Sequence, residues 1–214
     1  MKIAIIGANG NLGKRVVRQA LDRGFDVKGF IYNGDSPDDR IEIIKKSLFD
    51  LTKEDVAECE AIISAYGSGF KADPTLNYQA FQKYIELCKG SKIHLIAIGG
   101  AGSLYTNGTH LMYCYEAPNY SETLKEISRN IELGIDELKK TSDVNWTVVC
   151  PSEFFDPEGS FTRKYQIGTE GHLIYNEEGK SYVTYDDLAM AMIDIAEDKS
   201  YSQMQITIGT KSCM

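Results

Sequence analysis

Three glycines near the start of the chain have the clearest chemical meaning, because Gly7, Gly10 and Gly13 follow the spacing Gly-x-x-Gly-x-x-Gly. A short apolar run precedes them and an amphipathic segment follows. In a strand-turn-helix unit the first glycine permits the turn, the second lets a phosphate approach the backbone, and the third lets the helix pack closely. Free N–H groups and the positive end of the helix dipole then face an anion. We therefore predict that the pyrophosphate of NAD(P) is bound here by Gly7, Asn9, Gly10, Asn11, Leu12 and Gly13.

The end of the second predicted strand should distinguish NAD from NADP, because the discriminating residue lies about 20 positions beyond the turn. This strand ends at Tyr32 and Asn33, which are candidates for cofactor contact, and no acidic residue stands at its end. Asp35 would favour NAD by binding the ribose 2′-hydroxyl. Arg40 or the pair Lys14-Arg15 would favour NADP by binding a 2′-phosphate. The preference between NAD and NADP stays open at this point.

Candidates for a catalytic acid are few. Ser103 follows the fifth predicted strand and is a candidate donor of a hydrogen bond to substrate. His110 is a candidate proton donor, since an imidazole titrates near neutral pH. No metal site is predicted, and the five cysteines are widely spaced without a C-x-x-C pair, which favours free thiols over disulfides or zinc ligation. They are Cys59, Cys88, Cys114, Cys150 and Cys213, of which Cys150 ends an apolar run and is expected to face the core.

The elements that must position these groups alternate along the chain. Strands are predicted at 2–6, 26–32, 41–45, 61–65, 93–98 and 146–150, and helices at 12–23, 53–58, 75–89 and 121–140. Continuously apolar strands separated by helices are typical of a parallel sheet covered on both faces. The predicted fold class is α/β, a doubly wound and mostly parallel sheet of the NAD(P)-binding Rossmann type.

The alternation breaks down after Pro151 into a polar segment punctuated by glycines. Short strands are expected there at 165–167, 172–175 and 181–183, before a helix at 185–198 and a last strand at 205–208. We interpret residues 151–184 as a small lid or substrate lobe within a single domain that spans residues 1–214.

Composition excludes several classes of protein. The chain has 214 residues, with 23 basic and 31 acidic side chains and a net charge of −8. A net negative charge without a basic cluster argues against nucleic acid as a partner. No segment approaches the roughly 20 apolar residues that a membrane span requires. We expect a cytoplasmic protein with no membrane partner, and a homodimer is left open.

Further motifs follow the glycine turn at the ends of the later strands. They are Phe49-Asp50, Ala65-Tyr66-Gly67, the run Gly99-Gly100-Ala101-Gly102-Ser103, Trp146 to Pro151 with Phe154-Phe155, and Tyr165-Gln166-Ile167-Gly168. On these motifs, nearly from end to end, the chain resembles the atypical short-chain dehydrogenase/reductase group. The resemblance is greatest to its small NAD(P)H-binding members, the NADH-flavin reductases, which are relatives of biliverdin/flavin reductase B and of the NmrA-like proteins.

The resemblance implies a position for each part of the cofactor at the carboxyl ends of the strands, where a doubly wound sheet binds ligand. It implies that the adenine is held by Asp50 and Leu51, that the ribose region is lined by Ala65, Tyr66 and Gly67, and that the nicotinamide end is framed by Gly99, Gly100 and Pro151. An aromatic group is also expected to border the nicotinamide end and to stack on a planar acceptor. Its members are Tyr105, Tyr113, Tyr115, Tyr120, Phe154 and Phe155.

The chain departs from typical short-chain dehydrogenases in one respect: none of its 13 tyrosines has a lysine four positions later. The Tyr-x-x-x-Lys proton donor is therefore absent, which disfavours a sugar-nucleotide epimerase or dehydratase. Reduction of a flavin or quinone requires mainly positioning, since the acceptor's conjugated system takes up the hydride. We expect an NAD(P)H-dependent reductase of a flavin, quinone or similar planar acceptor. The alternative is an NmrA-like protein that senses NAD(P) without turnover.

Overall fold

A computed structural model of the chain describes residues 1–106 and 110–211. The strands are β1 (Lys2–Ile6), β2 (Asp26–Ile31), β3 (Glu42–Lys45), β4 (Ala61–Ser64), β5 (His94–Ile98), β6 (Asn145–Pro151), β7 (Phe154–Asp156), β8 (Tyr165–Gly168), β9 (Tyr182–Thr184) and β10 (Met204–Thr210). The α-helices are α1 (Asn11–Asp22), α2 (Lys53–Val56), α3 (Thr75–Cys88), α4 (Glu122–Lys139) and α5 (Tyr185–Glu197). None of the helices in the described ranges is long and apolar enough to cross a membrane.

Eight strands form one sheet in the order β3-β2-β1-β4-β5-β6-β10-β8. All neighbours in this sheet run parallel except β10 and β8, which pair antiparallel. The order of the first six strands is that of the Rossmann fold, and the chain reverses direction across the sheet between β1 and β4. This topology confirms the predicted fold class and places the ligand-binding crevice at the carboxyl ends of β1 and β4.

Helices cover both faces of the sheet. On one face α1 packs against α5, and the predicted apolar stripe of α1, which includes Val16 and Ala20, is buried. On the other face α3 packs against α4, with Phe81 lying against Gly134. A methyl group on Gly134 would come within 2.4 Å of the Phe81 ring, so the two helices are in close contact there. The double cover explains why the central strands are apolar throughout.

The segment 151–184 is bound more closely to the sheet than a separate lobe would be. Its β8 pairs with β10 at the edge of the main sheet, while β7 and β9 form a small parallel pair of their own. The predicted strand at 172–175 is wrong, since His172 makes only an isolated bridge to Tyr105. Strand β7 was not predicted, because three residues are too few to show a period.

The cysteines agree with the expectation of free thiols. Cys59, Cys88, Cys114 and Cys150 are free and buried, and Cys150 faces the core as predicted. Burial raises the pKa of each of these four thiols. Cys213 lies outside the described residues.

Candidate functional site

The glycine turn leaves β1 sharply and leads directly into α1. Gly7 has a φ of +77°, which favours glycine, and its N–H donates to the carbonyl oxygen of Phe30 at 2.9 Å. Gly10 N–H donates to the Gly7 carbonyl at 3.0 Å. A Cβ on Gly13 would lie 2.0 Å from that same carbonyl oxygen. The third glycine therefore allows α1 to begin directly against the turn.

The start of α1 fits an anion. Gly10 is the N-cap, no side chain caps the helix, and no acidic residue stands in its first turn. The first N–H groups of any helix lack partners within the helix, so here they remain available to a ligand. Asn11 is exposed, whereas Leu12 and Gly13 are buried beneath it. Asn9 links the turn to the end of β2, because its Nδ2 donates to the Asn33 carbonyl at 2.7 Å.

Two cavities meet at this turn along the carboxyl edge of the sheet. Cavity A, of about 500 Å³, is lined by Ile6, Gly7, Asn9, Gly10, Phe30, Tyr32, Asn33, Lys46, Ser47, Leu48, Phe49, Ala65, Tyr66, Gly67 and Leu76. Cavity B, of about 490 Å³, is lined by Gly10, Asn11, Leu12, Ala65, Tyr66, Gly67, Ser68, Gly69, Phe70, Asn77, Ala80, Phe81, Tyr84, Ile98, Gly99, Ile127, Ile131, Phe155 and Tyr185. Both include the second glycine of the turn and the three residues after β4. An elongated ligand can therefore extend from one cavity to the other across the turn.

The three residues after β4 belong to both cavities. Ala65, Tyr66 and Gly67 line both cavities. The Tyr66 ring meets Phe49 edge to face, with centroids 5.9 Å apart. Burial raises the pKa of the Tyr66 hydroxyl, which is therefore neutral at physiological pH. Gly67 has open space beside its Cα, so a bound group is free to approach the backbone there.

The two residues that the resemblance assigned to the adenine, Asp50 and Leu51, are not among those that line cavity A. Leu51 is 1% exposed and packs in the core below α3, and Asp50 is exposed; neither lines the cavity. The preceding residues Ser47, Leu48 and Phe49 line it instead. The short 3₁₀ turn Leu48–Asp50 directs the chain back into the core after Phe49, and a contact of Asp50 or Leu51 with the adenine stays a prediction.

Lys46 is the charged side chain of cavity A, and sequence reasoning missed it. Its N–H donates to the Ile31 carbonyl at 2.9 Å, which places it beside the end of β2. Its ammonium is paired with Asp55, with Nζ and Oδ2 2.5 Å apart. Tyr32, 77% exposed, and Asn33 line the cavity nearby. The only signal for Lys46 was its position after a strand that pairs with β2.

The cationic residues proposed for a 2′-phosphate are engaged elsewhere. Arg40 donates through Nε and Nη2 to the Asp38 carboxylate at 2.8 and 2.7 Å, and this guanidinium lowers the pKa of Asp38 to about 2. Arg15 donates to Asp186 at 3.2 Å and to the Pro157 carbonyl at 2.6 Å. Neither guanidinium lines cavity A, and Lys14 and Asp35 are also absent from its lining.

A stacked aromatic pair forms one wall of cavity B. The rings of Phe155 and Tyr185 are 3.7 Å apart between centroids and 17° from parallel. The Arg15 guanidinium lies 5.4 Å from the centroid of the Tyr185 ring. The same guanidinium donates hydrogen bonds to Asp186 and to the Pro157 carbonyl. Through these contacts Arg15 of α1 holds Tyr185, the first residue of α5, in position against Phe155.

The two glycines after β5 differ in their position relative to cavity B. Gly99 lines cavity B, and a Cβ there would lie 2.6 Å from the Cys150 sulfur. Gly100 and Pro151 were expected to frame the same end but do not line the cavity. Pro151 is buried as the last residue of β6, so only the Gly99 part of the expected frame faces the open space.

The two candidate acids lie outside both cavities. Ser103 is 1% exposed, and its hydroxyl donates to the Gly100 carbonyl at 2.8 Å. This burial keeps Ser103 from reaching a substrate in cavity B. His110 is exposed, with Nε2 2.9 Å from the Glu170 carbonyl oxygen and its ring against Tyr105.

Most of the expected aromatic group is placed elsewhere. Tyr105, Tyr113 and Tyr115 stack on one another, with successive centroids 4.4 and 5.6 Å apart. Phe154 is 61% exposed and stacks on Tyr182. Tyr120 lines a separate cavity together with Glu153. Among these aromatic residues, Phe155 alone lines cavity B.

Cavity B contains no ordinary acid or base. Among its lining residues, all of which are described, there is no carboxylate, imidazole, amine, guanidinium or thiol. Its titratable groups are the hydroxyls of Tyr66, Tyr84 and Tyr185, and burial raises the pKa of each. The cavity can position a planar group against aromatic and apolar side chains, but it offers no group that exchanges a proton near neutral pH.

Comparisons with known proteins show which family the chain belongs to. A family described as NAD(P)H-binding matches residues 7–199. The Bacillus subtilis (strain 168) protein YwnB, described as uncharacterized, is 30% identical over 210 residues, covering 97% of this chain and 98% of YwnB.

Two solved structures extend the comparison. A "putative NADH-flavin reductase" from Streptococcus pneumoniae TIGR4 is 32% identical, with a TM-score of 0.91, covering 99% of this chain and all of that one. The Escherichia coli O157:H7 protein ChuY, described as an anaerobillin reductase, is 19% identical with a TM-score of 0.68, covering all of this chain and 98% of ChuY, and shares the fold.

Proposed function

The chain belongs to the NAD(P)H-binding family, and from that premise we propose that it is a reductase that passes a hydride from NAD(P)H to a planar conjugated acceptor of the flavin or quinone class. NAD(P) as the cofactor and a role of the reductase type follow from the family and the named neighbours. The chemical class of the acceptor and the roles of individual residues are proposed.

The proposed arrangement places each part of the cofactor against a different element. The backbone N–H groups of Asn11 and Leu12 bind the pyrophosphate at the uncapped start of α1, where Gly10 lets the phosphates come close. Cavity A takes the adenosine, and cavity B takes the nicotinamide near Gly99. Bound NAD(P)H supplies a hydride, which the acceptor takes up together with a proton from water.

The observation that carries the proposal is the absence of acids and bases from the lining of cavity B. A reductase of isolated carbonyls must donate a proton as the oxyanion develops. A flavin or quinone delocalises the added charge over its own rings and needs no such donor at the moment of transfer. The protein then contributes the relative position of the two reactants and an apolar environment. Phe155 and Tyr185 lie on one side of the cavity, and Ile127 and Ile131 of α4 lie on another.

The acceptor is tested by anaerobic oxidation of NADPH and NADH with FMN, riboflavin and menadione. We expect turnover with at least one of them, and kcat/KM that changes little between pH 6 and 9, because the tyrosines of cavity B stay neutral in this range. Tight cofactor binding without turnover of any acceptor would contradict the reductase and favour a cofactor sensor instead. A steep loss of kcat/KM centred within that pH range would reveal an acid that cavity B does not contain.

The aromatic wall should set the affinity for the acceptor. Replacing Phe155 with leucine removes the ring that the proposal places against the acceptor, and stacking of two aromatic rings contributes about 0.5–1.5 kcal/mol. We expect F155L to raise the KM for a flavin by about three- to ten-fold. The dissociation constant for NADPH should change less, since most of the cofactor lies elsewhere.

Phe154 provides the matched control, since it is the neighbouring aromatic residue, is exposed and does not line cavity B. We expect F154L to leave the KM unchanged. Equal effects of F154L and F155L on KM would show that the acceptor is not bound against the wall of cavity B.

Cavity A supports a preference for NADPH over NADH. Lys46 is cationic and lines the cavity, no carboxylate lines it, and neither Arg40 nor Arg15 lies in its lining. An acidic residue at the end of β2 would instead bind the ribose 2′-hydroxyl and repel a 2′-phosphate. We propose that the ammonium of Lys46 binds the 2′-phosphate of NADPH, released in part from Asp55.

Replacing Lys46 with glutamine should weaken NADPH binding by about five- to ten-fold and leave NADH binding nearly unchanged, as expected for one partly exposed charge pair. Titration of Trp146 fluorescence or calorimetry measures both constants. Lys45, adjacent and exposed but outside the cavity, supplies the control K45Q. Equal binding of NADH and NADPH by the unaltered protein would contradict the preference while leaving the reductase intact.

A further inference from the structure

A third cavity, which we call the lysine cavity, lies at the edge of the sheet opposite the cofactor. It has a volume of about 530 Å³ and opens at the amino ends of β4 and β5. Its lining residues are Lys53, Ala57, Cys59, Glu60, Leu87, Lys89, Gly90, Ser91, Lys92, Ile93 and Lys199. None of them lines cavity A or cavity B, so this space is separate from the candidate cofactor site.

The lining concentrates positive charge on an acidic protein. Four lysines surround the lysine cavity in a chain whose net charge is −8. Within the described ranges, none of the four forms an ion pair. The single acidic residue of the lining, Glu60, accepts a hydrogen bond from the Lys2 backbone at 3.2 Å. A concavity lined mainly by charges of one sign attracts ions of the opposite sign and raises their local concentration.

The four lysines come from three different parts of the chain. Lys53 is the first residue of α2, Lys89 and Lys92 lie on the loop from α3 to β5, and Lys199 follows α5. The Lys53 ammonium donates to the Lys89 carbonyl at 2.7 Å, which holds two of these segments together. The fold therefore brings the charges together from sequence positions far apart.

The positive field reaches the strand behind the cavity. His94, the first residue of β5, is buried, and its Nε2 lies 2.8 Å from the Thr147 hydroxyl. Burial, and then the charge of Lys199, lower the pKa of His94 to about 4. His94 therefore adds no charge at neutral pH, and the lysines supply the cationic character of this edge.

We propose that the lysine cavity binds a small organic phosphate carrying at least two negative charges. The ammonium groups of Lys53, Lys89, Lys92 and Lys199 would contact the phosphate oxygens. The floor formed by Leu87, Ile93 and Ala57 is apolar, and the volume exceeds what an inorganic phosphate fills. Both features call for a ligand with a carbon body. The site lies away from the cofactor, so it binds its ligand while NAD(P)H is bound.

The test uses tripolyphosphate as the probe, titrated calorimetrically into protein saturated with NADPH so that the glycine turn is occupied. We expect one binding site whose affinity falls with salt, as charge-dominated binding does. The double variant K92Q/K199Q removes two of the four cavity charges and should weaken the probe by about ten-fold or more. The matched pair K164Q/K180Q removes two exposed lysines outside the lysine cavity and should bind the probe like the unaltered protein.

Three results would overturn the proposal. One is an equal loss of affinity in the two double variants, which would indicate attraction by overall charge. Another is displacement of the probe by NADPH, which would place it at the cofactor site. The third is a short RNA that binds through the same lysines more tightly than tripolyphosphate, which would make this a nucleic-acid surface. The charge-preserving variant K92R/K199R guards against misfolding and should keep the affinity.

Discussion

Replacing Gly13 with alanine is expected to abolish NADPH binding and to lower the free energy of unfolding by about 3 kcal/mol, the upper part of the range for overpacking. The added Cβ would lie 2.0 Å from the Gly7 carbonyl oxygen, and 2.8 and 2.9 Å from the carbonyl carbons of Gly7 and Ala8. All three are backbone atoms, so no side-chain rotation relieves the clash. The start of α1 must move away from the turn, and its N–H groups then lose their position against the pyrophosphate.

Gly24 provides the control for this experiment. It ends α1 with a φ of +73°, and a Cβ there meets nothing within 4 Å. We expect G24A to cost about 1 kcal/mol through backbone strain and to leave NADPH binding unchanged. Thermal unfolding and NADPH titration of both variants separate the two effects. Normal NADPH affinity in a folded G13A variant would show that the cofactor does not depend on this turn.

Local sequence patterns predicted the turn and the sheet well. The glycine spacing, the apolar strands and the helical stripe of α1 are read within about 15 residues, and such periodic signals are the strongest that a sequence carries. The same reasoning placed Ala65 to Gly67 and Gly99 at strand ends, and in the structure these residues line the cavities; their contact with a cofactor stays a prediction. Parallel strands bring their carboxyl ends to one edge, so knowing the strands is enough to group these residues.

Side chains that reach the cavities from distant elements could not be predicted in the same way. Tyr185 stands at the start of α5 and enters cavity B only because α5 packs on α1. Lys46 follows a short strand, and its contact with cavity A depends on how β3 pairs with β2. The direction of the chain after β3 decides that Phe49, and not Leu51, lines cavity A. Each outcome depends on tertiary packing, which no local period encodes.

Asp187 is the clearest example of a determinant hidden in the sequence. It stands in the first turn of α5, where an acidic residue is ordinary. In the structure its carboxylate is 0% exposed and accepts four hydrogen bonds. Two come from the N–H groups of Thr162 and Arg163 at 3.1 and 3.0 Å, and two from the hydroxyls of Thr162 and Thr210, both at 2.8 Å. One side chain thus joins the segment before β8 to α5 and to the end of β10.

Replacing Asp187 with alanine should therefore lower the free energy of unfolding by about 3–4 kcal/mol, since a lost buried acceptor leaves its donors unsatisfied. The donors that lose this partner are two backbone N–H groups and two hydroxyls, of which the Thr162 hydroxyl retains the Lys164 carbonyl at 3.2 Å. For a chain of this size that is a fall in Tm of about 10 °C. Limited proteolysis should then cut near Thr162 and Arg163 first, because this carboxylate holds that segment to α5.

Asp39, an exposed carboxylate in the loop before β3, supplies the matched substitution D39A, which should change the free energy of unfolding by less than about 0.5 kcal/mol. D187N keeps the shape of the side chain but places an amide N–H₂ where the carboxylate now accepts hydrogen bonds on both oxygens. The free energy of unfolding of D187N should lie between those of D39A and D187A. If D187A unfolded at the same temperature as D39A, the pairing of β8 with β10 would be enough to hold the segment before β8 in place. The four hydrogen bonds to Asp187 would then contribute no net stability.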